Sequence, residues 1–432
     1  MGRIQLTPAG CSGNWTLRIL FLLQEFPYPP INGTRWKPFM LLQGISRRVE
    51  CHVLSFAEAP DEKAVNEFLK HCPGVKVLGV FSPRPSTFLT KLQGFLREGL
   101  ISSGAYDSSW FERILFETLA GTSYDAIHID MINLAWLASR IKQPNVVLSV
   151  NDAVSLGYLR SAKSATSWPQ SLRLRLAAAA IRHYERRAYR GQVVHVVSRV
   201  DQEYLRSLCP SARVEVVGLA VDPSSFAEPD FQEKAKKIIT IPVNFRAPGI
   251  CKAVLDFMSA FRPLLVGECL DASIQIVGRG ANESFLRKIS TYPNVKYLGW
   301  VDDYSATLRE ASVGLFLEKN GAGTKNRLLE AMEVGIPLAV TRVVASGVEA
   351  LDRRHFLVCD TPDDFVSAVK AILSDRALAT SLGREAWRFV ADNHGVSSVT
   401  DKWEVLYRTL AEPPTNDLGP RPVREGVRLT FS

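Results

Sequence analysis

Two doubly wound α/β domains in tandem are the architecture this sequence predicts, and three features carry that expectation. Short apolar runs alternate with stretches of helical periodicity, the pattern of a parallel sheet covered on both faces. A polar, Pro-containing break from Val221 to Asp230 interrupts the pattern, which then starts again. The 432 residues suit two to three domains at about 150 residues each.

The elements follow in order. Arg18-Ile19-Leu20-Phe21-Leu22-Leu23 reads as a strand buried on both faces, because its apolar residues run without alternation. Pro27, Pro29, Pro30 and Gly33 make a loop, Phe39 to Leu42 sit in a helix, and Cys51 to Phe56 return as a strand, completing one βαβ unit. Further strands fall at Val75 to Val80, Ala126 to Ile129, Asn145 to Val150 and Val193 to Val197. Their carboxyl ends are where a parallel sheet collects ligands. Beyond the break, strands are expected at Ile238 to Val243, Ser273 to Val277, Val295 to Leu298, Val313 to Leu317, Pro337 to Thr341 and Phe356 to Cys359. Ser398-Val399-Thr400-Asp401 has the form of a capping box ahead of a last helix, Lys402 to Leu410, and Pro413 and Pro414 end the packed chain. The expected organisation is a first domain over 18–222, a second over 236–396, a closing helix over 397–411 that returns to the first domain, and a flexible tail over 412–432.

Hydrophobic residues make up 46% and charged residues 22%, which excludes disordered, collagenous and multi-span membrane chains. Lys and Arg number 52 against 44 Asp and Glu, a net +8. That diffuse excess suits an anionic ligand or a membrane surface, and without a basic run it does not point to nucleic acid. Seven cysteines with no C-x-x-C spacing read as free thiols in a reducing compartment. No apolar run reaches spanning length and no secretory pattern opens the chain, so a cytoplasmic protein is expected, peripheral at most to a membrane.

The most informative stretch runs from Leu315 to Pro337. An apolar strand enters a loop with Gly321 and Gly323, Thr324 is placed to cap the helix that follows, and Gly335 with Pro337 closes it. The helix start at Gly323, Thr324, Lys325 and Asn326 offers unbonded N–H groups, the positive end of a dipole and nearby Lys325 and Arg327, a combination that suits a diphosphate. Glu330, one turn further in, has two acceptor oxygens for a pair of ribose hydroxyls. A capped surface helix with solvated charges fits the same pattern.

Gly323-Thr324-Lys325-Asn326-Arg327-Leu328-Leu329-Glu330-Ala331-Met332 followed by Gly335-Ile336-Pro337 resembles the donor-binding signature of the retaining GT-B glycosyltransferases of family 4, the glycosyl transferases group 1. Phe26 to Gly33 is similar to that family's first Gly loop, Tyr184-Glu185-Arg186-Arg187 to its mid-chain glutamate, and Ser198-Arg199-Val200-Asp201 to its S-x-x-D positions. Val214 to Asp222 resembles the strand and turn before the linker, with Leu219-Ala220 where the family commonly has Asn-Gly, and Ile276 to Gly280 and Tyr297 to Val301 match two further landmarks in order, so the resemblance spans about Arg18 to Ala411. It implies a GT-B fold, two Rossmann-like domains facing a central cleft, and retaining transfer from a nucleoside diphosphate sugar to a hydroxyl acceptor (glycan, glycolipid or small molecule) that is lipid-linked in many relatives. It implies further that Glu330 binds the donor ribose, that the backbone near Val301 meets the base, and that Arg246 and Lys252 hold the diphosphate, so that no metal or other cofactor is required. Asn32, Gly33 and Thr34 would form the acceptor-side loop.

Two departures from the family pattern matter. Its E-x7-E spacing would place a first glutamate at Ala322, and the histidine that many relatives carry after a strand near the reacting carbon is replaced by Asn151-Asp152. Asp152 is then the candidate to orient the acceptor hydroxyl or take its proton, although Asn-Asp is also a common turn. His128 and Asp130 alternate with apolar residues and face one side of their strand, resembling the family's D-x-x-H strand end; a satisfied buried histidine fits equally. Ala322 and the missing histidine also admit a second expectation, a degenerate GT-B protein that binds a nucleotide sugar or glycan as a partner subunit. Ser171 to Arg190 and Phe88 to Arg97 are basic and amphipathic, either because they meet an anionic membrane or because they are core-facing helices with solvated arginines.

Overall fold

The computed structural model describes residues 3–6, 17–57, 61–82, 109–141, 143, 145–165, 167–221, 229, 231, 236–247, 249–266, 272–292 and 294–412. The Phe88 to Arg97 segment and nearly all of the break and tail fall outside them.

The first domain is an eight-stranded sheet in the order β1-β4-β3-β2-β5-β6-β7-β8. Its strands are β1 (Arg3–Leu6), β2 (Arg18–Leu23), β3 (Glu50–Phe56), β4 (Val75–Phe81), β5 (Ala126–Asp130), β6 (Val146–Asn151), β7 (Val193–Val196) and β8 (Arg213–Val216). All pair in parallel except β1, which the sequence reading did not foresee and which runs antiparallel along the edge of β4. The second domain is a parallel six-stranded sheet, β11-β10-β9-β12-β13-β14, built from β9 (Lys237–Pro242), β10 (Ala272–Val277), β11 (Val295–Gly299), β12 (Val313–Phe316), β13 (Leu338–Val340) and β14 (Leu357–Val358). In each sheet the chain reverses its direction of growth beside the first parallel strand, at β2/β5 and at β9/β12, and such switch points open the crevices that hold ligands.

Helices cover both faces of each sheet, which is why the strands read as unbroken apolar runs. In β2, Ile19, Phe21 and Leu23 pack with the helices Gly33–Ile45, Glu62–His71 and Val396–Ala411, whereas Leu20 and Leu22 join Phe111, Trp136, Tyr184 and Leu205 on the other side. Burial of each such side chain contributes about 1.5–3 kcal/mol.

Helix Val396–Ala411 is the last described element, and it sits on the first domain: Trp403 and Tyr407 are buried in its core. Gly395 is its N-cap, so Ser398 lies inside the helix rather than ahead of it; the capping box that does form is Thr361 with Asp364, at helix Pro362–Ser374. The two passages between the domains run side by side, with Val221 bridged to Gly395 and its N–H donated to His394 O. Among the described residues no helix is long and apolar enough to cross a membrane.

Candidate active site

Strand β6 ends in a backbone conformation that aims its terminal side chains into the cleft. Asn151 has φ of 71°, in the left-handed region that Asn tolerates better than most residues. Its side-chain oxygen accepts a hydrogen bond from Lys37, a buried lysine on the first helix after the Gly loop. The Lys37 ammonium also lies 2.5 Å from Asp130 Oδ1 and donates to Ser149 Oγ at 2.7 Å. Ser149 in turn bonds His195 Nδ1 at 2.9 Å, while His195 Nε2 donates to Val217 O at 2.8 Å. A carbonyl can only accept, so Nε2 carries the proton and Nδ1 accepts the serine hydroxyl. Burial depresses the pKa of His195 well below the ordinary imidazole value, so one cation, Lys37, balances Asp130 in a network of otherwise neutral groups.

Asp152 follows Asn151 and faces the second domain. Burial, reinforced by the neighbouring Asp201 carboxylate and opposed by Lys325 and Lys37, pushes its pKa up to about 6. The contact across the cleft is Gly323: a Cβ placed there would lie 3.0 Å from Asp152 Cβ and 3.2 Å from Oδ2, and φ at this position is +66°. A side chain is therefore excluded both by space and by backbone conformation.

Asp201 joins the two domains. Its Oδ1 accepts the Ala153 N–H at 3.0 Å, and Oδ2 accepts the Gly323 N–H at 3.0 Å and the Ser198 hydroxyl. Arg160 Nη1 donates to Gly321 O at 2.8 Å, and Thr324 Oγ1 bonds the carbonyls of Val197 and Gly347. Behind these groups, Glu185 accepts the N–H and hydroxyl of Ser155 at the start of helix Val154–Lys163; burial raises its pKa to about 7 against those hydrogen bonds. The S-x-x-D and glutamate landmarks of the sequence are thus the scaffold that holds the β6 loop against the Gly323 loop.

On the second domain, helix Asn326–Glu333 begins with no side-chain cap: Lys325 is the N-cap, and Thr324, expected to cap, spends its hydroxyl on the two carbonyls instead. The leading N–H groups are left for another acceptor. Lys325 Nζ donates to Ala322 O at 2.7 Å, and burial lowers its pKa against the pull of Asp152, Glu318 and Asp201. Gly335, with φ of +70°, ends the helix as expected. Glu330 is half-buried, and its pKa is raised by burial against the pull of Arg327, which is paired with Glu318 at 2.8 Å. The buried Tyr304 hydroxyl, within electrostatic reach of Arg327 and Glu330, has no hydrogen-bond partner among the described residues. Val301 follows Trp300, over whose ring the Arg279 guanidinium sits at 4.2 Å.

The structure therefore gathers Asp152, Gly323, Thr324, Lys325 and Asn326 around one point of the cleft. A Cβ on Gly33 would lie 3.5 Å from the Asn326 amide, so the acceptor-side loop faces the same helix start; Asn32 caps its own helix by accepting the Arg35 N–H, with Thr34 half-buried beside it. His128 and Asp130 are not in the cleft wall. His128 is fully buried, its Nδ1 2.7 Å from Tyr407 Oη and its ring packed on Trp403; its Nε2 is 3.8 Å from Asp130 Oδ1. Asp130 is held below the ordinary carboxylate range by Lys37 and His128, in spite of burial. Arg246 is exposed, and Lys252 is turned to Asp256 at 2.6 Å, so these two cations do not converge here. Lys37 was missed, yet it precedes Leu41 and Ile45 by four and eight residues, which puts a charge on the buried stripe of its helix. Among the described residues no group of His, Cys, Asp or Glu is arranged to hold a metal ion.

Residues 237–375 match the family described as glycosyl transferases group 1. Among solved structures, HepE from Anabaena, in complex with UDP, superposes with a TM-score of 0.61 at 14% identity over 91% of this chain and 100% of that one. Sucrose-phosphate synthase from Thermosynechococcus elongatus gives 0.65 at 16% identity over 91% and 99%. WaaG, a glycosyltransferase involved in lipopolysaccharide biosynthesis, gives 0.58 at 14% identity over 89% and 98%. No curated sequence matches the chain. The fold is GT-B.

Proposed function

We propose that the protein, whose residues 237–375 match the glycosyl transferases group 1 family within a GT-B fold, is a retaining glycosyltransferase, moving a sugar from a nucleoside diphosphate sugar to a hydroxyl acceptor. The observation that carries this reading is Asp152 set against Gly323, beside the uncapped start of helix Asn326–Glu333. The helix start and Lys325 would stabilise the diphosphate as the bond from the anomeric carbon to its oxygen breaks and the electron pair leaves with it. Arg246 and Lys252 would join them once Lys252 leaves Asp256. Glu330 would accept the two ribose hydroxyls, the Tyr304 hydroxyl lying close by, and the backbone at Val301 would meet the base. The acceptor hydroxyl would attack the same face of the sugar, its proton passing to Asp152 or to the departing phosphate. HepE is known with UDP and with UDP-glucose, which supports a uridine donor.

Ala322 supports a second reading, a nucleotide-sugar-binding partner subunit without turnover. It occupies the position of the family's first glutamate, and the space beside it is taken by Gly157, whose Cβ would lie 3.7 Å from Ala322 Cβ. Calorimetry with UDP-, GDP-, dTDP- and ADP-sugars on wild type and Glu330→Ala, followed by assay of nucleoside diphosphate release, separates the two. Binding with release supports the transferase, binding without release supports the partner subunit, and no binding to any donor overturns both.

A further inference from the structure

We propose that the face of the first domain built on helix Trp168–Ala188 docks on an anionic lipid bilayer. The helix satisfies its core requirement with one stripe: Ala178, Ile181, Tyr184, Glu185 and Ala188 are buried. At 100° per residue the opposite face carries Trp168, Leu172 and Leu176, and these are 75%, 40% and 64% exposed. An ordinary surface helix puts polar side chains there. Tyr158, 37% exposed on the neighbouring helix Val154–Lys163, adds to the patch.

Charge decides the occupant. Residues 153–184 contain five Arg and Lys and no Asp or Glu. Arg173, Arg175 and Lys163 are exposed beside the apolar side chains, and Arg186, Arg187 and Arg190 continue the cationic surface further along. A second copy of this chain placed on the patch about a two-fold axis would set arginines against arginines. A bilayer resolves both features: Trp and Leu enter the boundary between headgroups and acyl chains, and the guanidinium groups meet lipid phosphates. The patch borders the cleft, because Gly157 and Arg160 of the neighbouring helix touch the Ala322 and Gly321 loop. Docking would therefore place the cleft mouth beside the headgroup layer.

Flotation of the full chain tests this, with vesicles of phosphatidylcholine alone and vesicles in which phosphatidylglycerol replaces part of it. The wild type is expected to float with the anionic vesicles alone, and added salt should release it. Arg173→Gln with Arg175→Gln should weaken partitioning by about thirty-fold, and Trp168→Ser with Leu172→Ser and Leu176→Ser should abolish it, with unchanged thermal melting because all these residues are exposed. Failure of the wild type to float overturns the proposal, as does equal binding to both vesicle types or flotation that the triple variant leaves intact. Concentration-dependent association that the triple variant abolishes, without vesicle binding, would make the face a contact between copies; capture of acidic protein in place of vesicles would make it a protein site. UDP-glucose binding measured on the same preparations reports the glycosyl-transfer reading separately from either result.

Discussion

The two walls of the cleft are built on opposite plans. The first domain presents a carboxylate whose pKa is raised by burial, Asp152, backed by the buried, hydrogen-bonded Glu185 and by the Lys37–Asp130 ion pair. The second presents backbone, glycine turns and an uncapped helix start, with half-buried Lys325, Arg327 and Glu330 beside them and Arg246 and Lys252 exposed. A wall of oriented N–H groups suits the binding of a diphosphate whose charge is the same in every donor. A wall of buried ionisable groups suits the movement of a proton. On the proposed reading, recognition and chemistry are divided between the domains, and substitutions on the two sides should fail in different ways.

The largest expected effect is on turnover. Asp152→Asn should lower the rate by about 10²–10⁴-fold with donor affinity retained, as measured by nucleoside diphosphate release and calorimetry. The same residue couples rate and stability to pH in opposite senses. Its folded pKa of about 6 lies above the unfolded value of 3.8, so between these limits the native protein holds a proton that the unfolded chain does not. Its contribution to stability is complete below about pH 4 and lost as pH rises through 6. Activity that needs the carboxylate should rise through the same pH 6 midpoint. Asp152→Asn should abolish that acid limb and that part of the stability profile together; a limb that survives the substitution places the base elsewhere.

Next in size is a pure stability effect. Lys37→Met leaves Asp130 buried without its cation and should cost about 3–5 kcal/mol in urea denaturation, whereas Lys37→Met with Asp130→Leu should recover most of it. Glu330→Ala, on the other wall, should leave the fold alone and weaken donor binding by about 10²-fold, as expected for two hydrogen bonds to a charged acceptor. The smallest effect belongs to Arg199→Ala. It breaks a bridge between the domains to Glu349, but both side chains are at least half exposed, and the denaturation midpoint should move by under about 1 kcal/mol. A large loss there would mean that the outer contact, rather than Asp201, holds the walls together.

Most of the fold was legible because parallel strands covered on both faces carry their signature in the chain itself, as Ile19 to Leu23 do. The edge strand Arg3–Leu6 was not, since its four residues alternate polar and apolar and its pairing is antiparallel to a strand distant in sequence. The loop around Gly323 could be found from residue types, but not what Thr324 does: carbonyls from Val197 and Gly347 compete for its hydroxyl, and only the assembled domains supply them. His128 and Asp130 were correctly placed on one side of β5, while the depth at which they lie depends on Tyr407, 279 residues further along the chain. Ser398 misled because the backbone is already helical when it is reached, the turn into the helix being made at Gly395 by pairing with Val221.

The position of Tyr407 also bears on biosynthesis. The core beneath β2 and β5 is closed by Trp403 and Tyr407, among the last residues of the described chain. On a ribosome the second domain, whose strands end at Val358, can assemble as soon as it emerges. The first domain, although made earlier, must wait with the part of its sheet that Trp403 and Tyr407 cover left open. Nascent chains halted before Trp403 should therefore bind chaperones through their amino-terminal half, and the domain translated first will be the one completed last.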